Sequence, residues 1–121
     1  MRPLLVLCLL STPAFAQDGI RASDQMLGHA AMSDLLSGHV VEFYDGSKSS
    51  YAPDGTYAYT NTDDGPVWSG QYRVQNDSRV CVDFDNGSRR CDQFVKDGKR
   101  VILVTEDGIR FPIRNRTVYQ R

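Results

Sequence analysis

From His39 to Ile113, apolar and polar residues alternate in short runs, and each run ends at a small polar dipeptide. These are Asp45-Gly46, Asp54-Gly55, Asp64-Gly65, Asn76-Asp77, Asn86-Gly87, Asp97-Gly98 and Asp107-Gly108, nine to twelve residues apart. Asp-Gly and Asn-Gly suit tight turns because glycine has no Cβ to clash at positive φ and Asn or Asp tolerates the left-handed region. The segments between them are rich in Val, Ile, Thr, Tyr and Phe, residues that fit a pleated surface. The pattern predicts eight strands: His39–Tyr44, Lys48–Ala52, Thr56–Asn61, Val67–Val74, Arg79–Phe84, Arg89–Lys96, Arg100–Thr105 and Ile109–Ile113. Strands in sequence order joined by short turns pair antiparallel, and eight of them can close and remove both sticky edges. The expected fold is all-β: a small antiparallel up-and-down meander of about eight strands, closed into a barrel. Periodicity alone leaves a two-sheet sandwich open as the alternative. Ahead of the strands, Leu27, Ala31 and Leu35 share a helical face, Ser23 can cap and Gly38 can stop, so one N-terminal helix is expected over 24–36. Gly28 in its middle weakens that pattern.

The first residues read differently. Arg2, an apolar run from Leu4 to Leu10, and Ala14-Phe15-Ala16 make a secretory signal peptide over 1–16, cut between Ala16 and Gln17. Cys8 would leave with it, and bulky Leu7 before Cys8 argues against a lipid-anchored cysteine. Residues 17–121 then form a single β domain, large enough for one modest core. The chain has 121 residues with 14 Lys plus Arg against 15 Asp plus Glu, a balance without the positive field a nucleic-acid binder needs. Apart from the leader, no apolar run could span a membrane. The expected product is periplasmic or secreted, monomeric, without cofactor or transmembrane segment. The Asn-x-Ser/Thr triplets at Asn76, Asn86 and Asn115 are incidental in a bacterial export route.

Two cysteines remain, Cys81 and Cys91, and an even pair in an exported chain reads as a disulfide. A three-residue loop at Asp85-Asn86-Gly87 pairs Phe84 with Ser88 and Asp83 with Arg89. Continued, that register sets Cys81 opposite Cys91 at a close, non-hydrogen-bonded site. No further cysteine lies near a histidine to complete a zinc set, and Asp83, Asp85 and Gly87 lack the spacing of a calcium loop.

Candidate chemistry is thin. His29 and His39 have no fixed partner, and no nucleophile elbow is present. Most carboxylates sit in turns, where Asp serves the backbone. Tyr57 and Tyr59 share one face of their strand, as do Trp68 and Tyr72 of the next; turned outward they would form a binding patch, turned inward a core. Residues 17–64 carry two basic and eight acidic groups, residues 65–121 eleven and seven, and only cations follow Asp107. Arg110 and Arg114, interleaved with Phe111, are therefore candidates for an anionic partner.

Leu36-Ser37-Gly38, Asp54-Gly55-Thr56, Trp68-Ser69-Gly70-Gln71-Tyr72 and the Cys81/Cys91 pair together resemble small exported alphaproteobacterial proteins of unknown function, over residues 35–113. That resemblance implies a compartment and a fold rather than an activity. A weaker resemblance is to periplasmic lysozyme inhibitors, small barrels whose inserted loop carries Ser-Gly and an aromatic, as in Ser69-Gly70-Gln71-Tyr72; here that stretch falls mid-strand. The expectation is a non-enzymatic binding module acting on a protein or anionic envelope component. A lipocalin-like carrier of a small apolar ligand and an inhibitor of a cell-wall hydrolase are the alternatives.

Overall fold

A computed structural model describes residues 19–121, so the expected leader and its cleavage point lie outside the described residues. The alternating segments form strands β2 (His39–Phe43), β3 (Lys48–Tyr51), β4 (Thr56–Thr60), β5 (Val67–Val74), β6 (Arg79–Phe84), β7 (Arg89–Asp97), β8 (Arg100–Val104) and β9 (Arg110–Val118). Each pairs antiparallel with the next, and β9 returns to β2, with Val118 opposite His39 and Ile113 opposite Phe43. That last pairing closes an eight-stranded barrel and decides against the sandwich. A ninth strand, β1 (Gln25–Met26), pairs with Val95 and Lys96 of β7, beyond the point where β6 begins.

Two boundaries differ from expectation. The helix α1 spans only His29–Leu36, and the segment before it is strand and turn. Gly28, not Ser23, is its N-cap, and no side chain among the described residues caps it. Tertiary bonds outcompete the helical start: buried Ser78 accepts the Leu27 backbone N–H, and Asp24 is held by Arg110. The last strand runs to Val118 rather than stopping at Ile113. Its second half, Arg114-Asn115-Arg116-Thr117, lacks an apolar pattern, but β2 needs a partner along its whole length and takes it through the backbone ladder.

The disulfide forms as the register required, with Cys81 opposite Cys91 at a Cα separation of 4.0 Å. On the same outer face Asp83 lies between Arg73 and Arg89, at 3.2 and 3.6 Å. Gly70, facing inward opposite Tyr57, is obligatory for close approach: a Cβ there would stand 2.3 Å from the Asp83 carbonyl oxygen.

Strand direction gives the barrel two unlike ends. The turns at Asp54-Gly55, Asn76-Asp77 and Asp97-Gly98 lie at one end, where α1 packs Met32 and Leu36, both fully buried, against Val41, Tyr51 and Val80. Arg116 reaches over from β9 to donate to the Leu35 and Asp34 carbonyls, covering acceptors that the last helical turn leaves unsatisfied. The middle is filled by Tyr51, which meets Tyr57, Tyr72 and Phe94 edge-on at centroid separations of 5.1 to 6.5 Å. The turns at Asp45-Gly46, Asp64-Gly65, Asn86-Gly87 and Asp107-Gly108 surround the other end, which no helix among the described residues covers.

Candidate functional site

The open end owes its chemistry to the register of the disulfide hairpin. Val80 and Val82 point into the core, and their cross-strand partners on β7 are Asp92 and Arg90. Side chains directly opposite share a face, so both charged groups point inward as well. Arg90 Nε donates to Asp92 Oδ2 at 2.8 Å, its Nη2 lies 3.5 Å from the Tyr57 hydroxyl, and its guanidinium stands 5.9 Å from the centre of the Tyr59 ring. The last distance is within cation–π reach. Tyr57 Oη in turn shares a hydrogen bond with Ser49 Oγ at 3.0 Å.

Asp92 is only 5% exposed, and its Oδ1 has no hydrogen-bond partner among the described residues. Burial pushes its carboxyl above the usual range, against the pull of Arg90. Burial also opposes the Arg90 charge, but Asp92 and the tyrosine hydroxyls outweigh it and hold the guanidinium protonated. The pair is enclosed on one side only, since the Arg90 side chain is 41% exposed, and a buried aspartate with an unpartnered oxygen costs stability, so its presence needs another reason.

Around Arg90 the end opens into two recesses that share Arg90 and Tyr59 as their common wall. The deeper, of ≈ 160 Å³, is lined by Phe43, Asp45, Ser47, Ser49, Leu103 and Phe111 besides that wall. The shallower, of ≈ 380 Å³, runs past Trp68, Phe84 and Asn86. Trp68 is 39% exposed and rests on Tyr59 at a centroid distance of 6.0 Å.

The expected site residues therefore separate. Tyr57, Tyr59, Trp68 and Tyr72 all face inward, and depth along the barrel divides them. Tyr57 is fully buried, and Tyr72 is a core residue whose hydroxyl donates to the Ala52 carbonyl at 2.7 Å. Only Tyr59 and Trp68 reach the open end. Arg110 is on the outer wall and is committed there: it forms a two-bond pair with Asp24, at 2.6 and 2.9 Å, and also donates to the Gly19 carbonyl. With side chains 11% and 0% exposed, that pair pins the segment before α1 and leaves nothing for a ligand. Arg114 is exposed at the register shift between β2 and β9, where it has no cross-strand partner, and is not part of the open end. His39 Nδ1 lies 2.9 Å from the Ser37 carbonyl oxygen, a local bond.

Arg90, Asp92, Asp45 and Phe43 were not picked out as site residues by sequence reasoning, and Phe111 only as an aromatic between Arg110 and Arg114. A signal for the first two was present: once Cys81 faces Cys91 on the outer wall, residues 90 and 92 must face inward.

Fold and site together define a small closed β-barrel with one helix-covered end and one open end that carries aromatic rings around an inward arginine. No family model, no curated protein and no solved structure matches this chain.

Proposed function

We propose that this protein is an exported, non-enzymatic binding module that engages its partner, a protein or an anionic envelope component, through the open end of the barrel. The observation that carries the reading is the inward Arg90, held under a Tyr59–Trp68 shelf by a buried aspartate. A partly exposed tryptophan beside an anchored arginine is the composition that dominates binding surfaces. The Cys81–Cys91 bridge fits an oxidising compartment and supports export.

The carrier reading is weaker because the middle of the barrel is occupied by tyrosine and phenylalanine rings, with no room for a lipocalin-sized ligand. For an inhibitor of a cell-wall hydrolase, Ser69 to Tyr72 would have to form a projecting loop, and they lie within β5. Photo-crosslinking tests the proposal. Benzoylphenylalanine placed at Trp68, on the open end, or at Ala31, on the helix end, is expressed in the source host and irradiated. Adducts at position 68 and not at 31 are expected. Adducts at 31 only, or at neither position, would overturn the reading.

A further inference from the structure

The deeper recess carries an uncommitted group of each charge. Asp45 uses Oδ1 to accept from the Ser47 backbone N–H at 2.9 Å and from Ser47 Oγ at 2.6 Å, while Oδ2 accepts no hydrogen bond among the described residues. Those two bonds, the hydroxyl's first, hold the Asp45 carboxyl below the usual range, so it is ionised at neutral pH. Arg90 uses Nε on Asp92 and directs Nη2 at Tyr57, and Nη1 has no partner among the described residues. Beside these two poles the recess is lined by Phe43, Leu103 and Phe111, the last 38% exposed, with Ser49 and Thr105 among them. The volume, ≈ 160 Å³, is close to that of a cavity that takes up a benzene-sized molecule.

A recess lined by a carboxylate, a guanidinium and apolar surface has the complement of a zwitterion with an apolar side chain. A simple anion would meet Asp45 as a repulsive neighbour, and a simple cation would meet Arg90. We infer that the deeper recess binds an α-amino acid with a short apolar side chain, its carboxylate on Arg90, its ammonium on Asp45 and its side chain against Phe43 and Phe111. The inference rests on the open end being the binding end, and it adds a ligand class to it. Charge-assisted hydrogen bonds at both poles supply the discrimination, because an analogue lacking either charge leaves one pole facing apolar ligand surface.

The probes are L-leucine, 4-methylpentanoate (which lacks the ammonium) and isopentylamine (which lacks the carboxylate), titrated calorimetrically into the oxidised protein. L-Leucine is expected to bind about tenfold or more tightly than either analogue, the scale that one lost charge-assisted hydrogen bond sets. Asp45→Asn keeps the turn, since Asn can accept the same Ser47 bonds, and it should erase the preference for L-leucine over 4-methylpentanoate without lowering the melting temperature. Equal binding of the three probes, binding of only one analogue, or no binding of L-leucine would overturn the assignment. Failure of all three with crosslinks at position 68 retained would remove the zwitterion and leave the open end as the binding end; loss of those crosslinks as well would remove both.

Discussion

The two ends of this barrel are built from the same strands and the same kind of turn, yet among the described residues one is covered by a helix and the other is not. At the helix end Met32 and Leu36 of α1 are buried against Val41, Tyr51 and Val80, and Arg116 lies on top, donating to helix carbonyls. At the open end the inward positions include Arg90, Asp92 and Ser49, and the large apolar groups Trp68 and Phe111 remain partly in water. Stability alone would favour a second plug of apolar residues over a buried aspartate with an unpartnered oxygen. The contrast locates the folding energy at one end and the unexplained polar chemistry at the other, which is what separates scaffold from site.

Truncation at each end is the most direct way to break the comparison. Met32→Ala removes a fully buried side chain at the helix end and is expected to cost about 3 kcal/mol, read as a shift in the denaturant midpoint. If the midpoint is unmoved, α1 is not what seals the barrel. Next in size is Cys81→Ala, on the wall between the ends. Opening an 11-residue loop should cost about 2.8 kcal/mol by chain-entropy arithmetic. The effect should disappear when wild type and variant are both measured under reducing conditions. Trp68→Ala comes third, at about 1 kcal/mol or less, because the ring is 39% exposed and loses chiefly its contact with Tyr59. A cost as large as that of Met32→Ala would make Trp68 a core residue and remove it from the site.

How much of this was legible in the sequence follows the same division. The turn dipeptides and the Cys81–Cys91 register specify the strands because both depend on local rules: backbone conformation in a tight turn and side-chain period along a strand. The start of α1 was not legible, since Leu27 and Asp24 are held by Ser78 and Arg110, more than fifty residues distant in sequence. The end of β9 was hidden because its polar residues are held by pairing with β2 rather than by burial. For the four aromatics, parity correctly grouped each pair but carried no information about depth along the barrel axis, which is what makes Tyr57 core and Trp68 rim. Arg110 looked like a free cation only because its partner, Asp24, precedes it by 86 positions.

The smallest expected effect sharpens the comparison further, because an arginine–aspartate pair stands on each side of the wall near the open end. Outside, Arg110 hydrogen-bonds Asp24 and holds its carboxyl below the ordinary 3.8. Its contribution to stability is therefore complete above pH 3.8 and is lost as pH falls through the lower folded value. Inside, burial raises the Asp92 carboxyl above 3.8, so the folded state takes up that proton first. As pH falls through the raised value toward 3.8, Asp92 makes the wild type more stable relative to a variant that cannot titrate there. Asp24→Asn should consequently lower the melting temperature at pH 7 by an amount that shrinks below pH 3.8. For Asp92→Asn the difference from wild type should instead move in favour of the wild type on acidification. Melting temperatures of the three proteins between pH 3 and pH 8 decide this. If both differences shrank together on acidification, Arg90 would hold the Asp92 carboxyl down as Arg110 holds Asp24, burial would not dominate, and the inside of the open end would not be the dry, charged pocket on which its proposed selectivity depends.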